Sequence, residues 1–149
     1  QSKHLEHFQA GLVICSPAVR CSQTAAIIFP GHKAIHVEEL YVPADLRSAL
    51  VDLRDAMCSK PGNLSDYIEG DIAGRLLVWG WYAKLGIHRE IRKYRVTSIA
   101  IVGHAGFSDV IAAELFPEHA EELSKMLHHK AESIAITPTG LLLHNQLVY

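Results

Sequence analysis

The sequence predicts an α/β fold: a three-layer sandwich in which a mainly parallel sheet carries helices on both faces and closes with a C-terminal antiparallel hairpin. Three observations carry that expectation. The runs "LVIC" (12–15) and "VTSIAIV" (96–102) each lead through an abrupt turn into a helical stretch. Segments with helical spacing lie between them. The chain ends in "ESIAITPTGLLLHNQLVY", two strand-like runs joined by Pro138-Thr139-Gly140, which is a hairpin pattern.

In chain order, "HLEHFQAG" (4–11) has the pattern of the last turns of a helix, with Leu5 and Phe8 on one face and Gly11 as its stop. The strand "LVIC" then meets Ser16, a good N-cap, and Pro17, suited to the first position of a helix running to about Phe29. A short strand is expected from Ala34 to Val37. Leu46, Leu50, Leu53 and Met57 recur at helical spacing, so 44–57 is predicted to be an amphipathic helix, ended by the loop "SKPGNLS". A second helical stretch runs from Asp66 to about Lys84, with Ile68, Ile72, Leu76 and Leu77 on its apolar side. Trp79, Trp81 and Tyr82 are assigned to the core. Gly80 and Gly86 leave open whether the helix continues to Tyr94. The strand 96–102 is largely β-branched and apolar, as a strand buried on both faces should be. "GHAGFSD" (103–109) is a tight turn, "VIAAELF" continues a helix to Pro117, and 118–129 forms another.

At 149 residues, 49% hydrophobic and 20% charged, the chain is expected to form one domain spanning 1–149. A net charge of −2 argues against a nucleic-acid partner or an anionic membrane surface. The basic stretch "HREIRKYR" (88–95) is assigned to a solvated helix face. No run is long and apolar enough to span a bilayer and no signal peptide is visible, so a cytoplasmic location is the expectation, with no membrane partner. Cys15, Cys21 and Cys58 are odd in number and lack redox or metal spacing, which fits free thiols. No metal site is expected, because His32/His36 and His128/His129 lack partnering ligands. Oligomeric state is not legible.

Arg20 raises the functional question. It falls in the first turn of a helix, where free N–H groups and the helix dipole attract anions and a cation is misplaced. Either an anion sits between the arginine and the helix end, clamped bidentately, or Arg20 pairs with a carboxylate such as Glu38 or Glu39. The second strand-to-helix turn repeats the architecture and carries His104 between Gly103 and Gly106. Ligands of parallel α/β sheets bind outside the carboxyl ends of the strands. An arginine and a histidine at two such ends point to a phosphate.

"CSPAVRCSQTAAII" resembles the "SPxxRxxQTA" motif of the histidine phosphatase superfamily, the phosphoglycerate-mutase-like fold. "IAIVGHAGFSDVIAAEL" looks like that family's second-histidine motif. The resemblance runs along essentially the whole chain, and its short length is similar to the phosphohistidine phosphatase branch. It implies that Arg20 clamps the phosphate, that His104 donates hydrogen bonds to the transferring phosphoryl group, and that Ser16, Gly103 and Ala105 line the substrate. It implies a general acid just after the next strand, where "HVEELYVP" offers Glu39 with Glu38 adjacent. No cofactor is implied. The partner would be a phosphorylated small molecule or a phosphoprotein.

Such a site suits phosphoryl transfer, in which negative charge spreads over three equatorial oxygens and fixed cations and imidazole donors stabilise it. A neutral histidine nucleophile divides hydrolysis into two easier steps. The family places that nucleophile in an Arg-His-Gly motif on its first strand, and these 149 residues contain none. The chain resembles the family from the end of the first helix onward and begins at Gln1. The expectation is therefore an upstream segment of roughly 20–30 residues carrying the motif. The alternative is a catalytically degenerate phosphate-binding or regulatory module. A hydrolase using Ser108 with His104 is disfavoured, because the turn is not Gly-x-Ser-x-Gly.

Overall fold

A computed structural model describes residues 9–49, 73–104, 107–124, 133–137 and 140–144 of the chain. The first strand, β1 (Leu12–Cys15), leads into α1 (Val19–Ile28). Then come β2 (Ile35–His36), a 3-10 turn (Glu38–Leu40) and helical residues 44–49. A long helix α2 (Ala73–Tyr94) precedes β3 (Ile99–Val102) and α3 (Phe107–Leu115). A 3-10 turn (Pro117–His119), α4 (Ala120–Ser124) and the strands β4 (Ser133–Thr137) and β5 (Gly140–His144) follow.

β1 lies in the middle of a three-stranded sheet in the order β2-β1-β3, parallel to both neighbours. Its register sets Cys15 opposite His36 on one side and Val102 on the other. The carboxyl ends of all three strands therefore open at the same edge. β4 and β5 pair antiparallel as a separate two-stranded sheet, with Ser133 opposite His144 and Thr137 opposite Gly140. The fold is thus mixed α/β, with a parallel sheet and the expected C-terminal hairpin.

Side chains alternate across a strand, so the four buried residues of β1 divide between two cores. Leu12 and Ile14 pack with Leu76, Ala83 and Ile87 of α2 and Phe107 and Val110 of α3. Val13 and Cys15 face the other way, onto Cys21 and Ala25 of α1 and onto Phe29. Each fully buried large aliphatic side chain contributes about 1.5–3 kcal/mol, which is why a four-residue strand suffices to hold the centre.

The helix around Gly80 and Gly86 does not break; it runs unbroken through both to Tyr94 and ends at Arg95, whose φ of 53° is left-handed. The two glycines are points of close approach. A Cβ on Gly80 would stand 2.7 Å from Val110 Cγ1, and one on Gly86 would stand 2.7 Å from Glu39 Oε2. Local helix propensity is sacrificed there so that α3 and the 3-10 turn can touch α2.

Several expectations need correction. Ser16 is not the N-cap of α1. Ala18 holds that position without a side-chain cap, because Ser16 stays with the sheet: its N–H donates to Val102 O at 3.1 Å and the residue is fully buried. Trp79 does belong to the core, with its indole N–H on Tyr41 O at 3.0 Å, but Trp81 and Tyr82 are 47% and 54% exposed. Leu77 is also exposed. These three lie on the side of α2 turned away from the cluster formed by Leu76, Trp79 and Ala83. α3 begins at Phe107, earlier than expected, and β2 and β3 are shorter than their apolar runs. The region after Pro117 opens as a 3-10 turn before becoming α-helical. Of the remaining expectations, the end of a helix at 4–8, the helix beyond 49, its loop, the start of the next helix, Cys58, Ala105, the end of the 118–129 helix and the hairpin turn lie outside the described residues.

Candidate functional site

The site is built where β1 and β3 end. Ser16 leaves β1 still hydrogen-bonded to β3, and Gly103 and His104 follow the last residue of β3. A Cβ on Gly103 would come within 2.9 Å of Ser108 Oγ, so a larger residue there would have to displace the Ser108 hydroxyl. The His104 carbonyl accepts from the Ser108 N–H at 2.9 Å and from its hydroxyl at 3.1 Å, which ties the turn to α3. Ser108 is thereby engaged with main chain and makes no contact with the imidazole among its hydrogen bonds.

Arg20 lies in the first turn of α1 and reaches across to the ring of His104. Its Nη2 stands 3.0 Å from Nδ1, and its Nε–H donates to the same atom at 3.3 Å. A guanidinium has no lone pair to offer, so Nδ1 accepts and the ring proton sits on Nε2. That Nε2–H donates to Ser16 Oγ at 3.3 Å. The thiol of Cys21 lies 3.7 Å from both ring nitrogens and 3.5 Å from Gly103 O, beneath the ring and 2% exposed. The structure thus brings Arg20, His104, Ser16 and Gly103 together, as their sequence positions predicted. Ala105 is outside the described residues.

Three influences hold the His104 pKa below its ordinary value: burial first, then the charges of Arg20 and Arg47. Burial also pushes the Cys21 thiol up, against the opposing pull of Arg20. The ring is consequently a neutral imidazole beside cations, with a neutral thiol below it. Cys21 and Arg47 were not singled out for the site by their sequence pattern. Cys21 had a discoverable signal, since it adjoins the motif arginine; Arg47 had none.

Glu39 stands apart from this cluster. Both its carboxylate oxygens are held by Arg89, Oε2 accepting from Nη2 at 3.1 Å and Oε1 from Nη1. Hydrogen bonding from Arg89 is the main reason that its pKa is lowered. The pairing considered for Arg20 with Glu38 or Glu39 is not made; among the described residues the hydrogen-bond partner of the Arg20 guanidinium is His104. The basic stretch 88–95 is correspondingly more than a solvated face, since Arg89 also holds Glu90, which is 7% exposed.

At the other flank of β1, Ser22 Oγ and His36 Nε2 are 2.8 Å apart. Among the described residues no group of three or more His, Cys, Asp or Glu side chains has the arrangement to hold a metal ion. Likewise, no described helix is long and apolar enough to cross a membrane. Comparison with protein-family models, with curated proteins and with solved structures found no match to this chain.

Proposed function

We propose that the mouth of the sheet is a phosphate site, and that the chain belongs to a metal-independent phosphatase acting on phosphomonoesters or protein phosphohistidine through a phosphohistidine intermediate. The observation that carries this reading is the Arg20–His104 pair: an arginine at a helix start bonded to a neutral imidazole at the next strand end. Burial and then the guanidinium keep the ring neutral, and an anion entering between Arg20 and His104 would meet a fixed cation on one side and an imidazole on the other. An incoming phosphate offers each group a better partner.

In this reading Arg20 and His104 hold the equatorial oxygens while a nucleophilic imidazole attacks phosphorus, and the leaving atom (the ester oxygen, or the ring nitrogen of a phosphohistidine) departs with a proton taken from solvent. Water then attacks the phosphohistidine, releasing phosphate and restoring the imidazole. The nucleophile belongs to an Arg-His-Gly segment that these 149 residues do not contain. The resemblance in sequence to the histidine phosphatase superfamily, with its three-layer architecture, supports the assignment. A second reading, phosphate binding without turnover, is favoured by Glu39: paired with Arg89 it is ionised and has no proton to give.

Hydrolysis of a chromogenic phosphomonoester with chelator present, by the native full-length protein, tests the first reading. Activity should persist with chelator and collapse in Arg20→Ala and in His104→Ala. Loss with chelator, or full activity in both variants, refutes it. Tight phosphate binding with no hydrolysis would select the second reading.

A further inference from the structure

Ser16 joins β1 to the turn before α1 and is fully buried, its N–H on Val102 O at 3.1 Å. Its hydroxyl oxygen accepts from two donors, the Nε2–H of His104 at 3.3 Å and the Ala18 N–H at 3.4 Å. A hydroxyl oxygen has two lone pairs, so these donors occupy both. Arg20 meets the same imidazole at the other nitrogen, Nδ1. The ring is thus held at both nitrogens, by a cation on one side and a buried hydroxyl on the other.

These contacts fix which way the ring lies. Turned over, it would present Cδ2 where Arg20 now meets Nδ1 and Cε1 where Ser16 now meets Nε2, and both hydrogen bonds would be lost. They also fix where a second proton can go. Nε2 already carries one, directed at Ser16, so a proton taken from solvent adds to Nδ1, the atom next to Arg20. The charges that oppose it are those of Arg20 and, after it, Arg47, while Cys21 beside the ring is a neutral thiol. A hydrogen bond donated by imidazolium is about twice as strong as one donated by a neutral ring. The Ser16 contact therefore tightens as the ring charges.

We infer that Ser16 is a positioning residue, whose hydroxyl holds Nε2–H of His104 so that the ring gains its second proton on Nδ1, towards a dianionic phosphoryl group entering beside Arg20. The inference rests on the phosphate reading above for the anion, and on contacts of the free protein for the hydroxyl. The ring charges in place, without turning. Lacking Ser16, the charged ring would keep a buried N–H with no acceptor.

Two measurements on Ser16→Ala test this, the first without any ligand. By NMR on the free protein, the His104 pKa should fall below the wild-type value by about half to one unit, because the charged ring loses more than the neutral one. By calorimetry, sulfate, a dianion of the same shape as phosphate, should bind about fivefold more weakly at pH about 7, where the ring charges on binding. That deficit should close at an acid pH where NMR shows the free ring already charged; a merely structural role would weaken binding equally at both. Ser16→Thr keeps the hydroxyl and should recover both properties.

An unchanged His104 titration in Ser16→Ala, a sulfate deficit equal at both pH values, or a Ser16→Thr variant as impaired as Ser16→Ala overturns the role of Ser16. Loss of sulfate binding in Arg20→Ala would then leave the phosphate reading standing. If the wild-type protein binds no sulfate, the phosphate reading falls and the anion step of the inference falls with it. The ligand-free titration still decides whether Ser16 holds the ring.

Discussion

Anion binding at this site should draw a proton from solution. In the free protein, Nδ1 of His104 accepts from Arg20 at 3.0 and 3.3 Å, so a proton there would confront the guanidinium. Among the described residues, the groups that touch the ring are Arg20, the Cys21 thiol and Ser16, and none of them favours imidazolium over the neutral ring enough to offset Arg20; the charge of Arg47 acts in the same sense as that of Arg20. A dianion entering between Arg20 and His104 reverses the field. One unit charge about 4 Å away at an effective dielectric near 20 is worth about 4 kcal/mol, or about three pKa units. A field of that size opposes burial and the Arg20 charge and favours imidazolium in the complex. Uptake should approach one proton per site.

Sulfate is the probe of choice, because it does not itself titrate near neutrality. Calorimetry in two buffers of different ionisation enthalpy reads the protons directly. Affinity should also strengthen as pH falls through neutrality, by at most about tenfold per unit, until the free ring itself begins to charge. His104→Gln should abolish both effects. Buffer-independent heats with sulfate bound, or proton uptake surviving in His104→Gln, would refute the reasoning.

Gly80→Ala tests the helix contact. The new Cβ would lie 2.7 Å from Val110 Cγ1 and 3.2 Å from Glu114 Cγ, and Val110 is 1% exposed, so it has little room to yield. The overpacking cost of about 1–3 kcal/mol should outweigh a propensity gain of about 1 kcal/mol, giving a net loss in denaturant unfolding. A variant more stable than the wild type would show the contact is not close. Glu39→Gln tests the ion pair with Arg89. A carboxylate whose pKa is lowered in the folded state adds stability above its unfolded pKa and loses it as pH falls through the folded one. The variant should therefore be less stable than the wild type at neutral pH, with the difference closing in acid. An equal deficit at both pH values would assign the effect to packing against Gly86 instead.

The sheet was legible because its strands announce themselves locally. Continuous apolar runs such as "LVIC" require burial on both faces, and a Ser-Pro or Gly-His turn after each places a helix next. The pairing of Arg20 with His104 was legible for the same reason, since parallel strands align their carboxyl ends. Other features were not. Trp79 and Trp81 look alike in sequence, and only the direction in which α2 presents them to α3 and the 3-10 turn separates the buried one from the exposed one. Gly80 and Gly86 look like helix breakers until the atoms that would collide with a Cβ are known. Ser16 has the composition of a cap, but it stays with the sheet. Its N–H goes to Val102 O, in a strand more than 80 residues away, and its hydroxyl meets the His104 ring and the Ala18 N–H ahead of the helix.

By itself, then, the sequence determined the α/β class and brought forward two residues of the candidate site, because burial pattern and turn chemistry act over a few neighbouring residues. That β1 lies between β2 and β3 came from the tertiary structure. The tertiary structure alone decided how the charges are shared. Glu39 went to Arg89 and Asp45 to Arg75, while Arg20 was left on the neutral imidazole of His104. An ion pair forms with whichever opposite charge the fold brings within reach. Spacing along the chain carries no information about that distance.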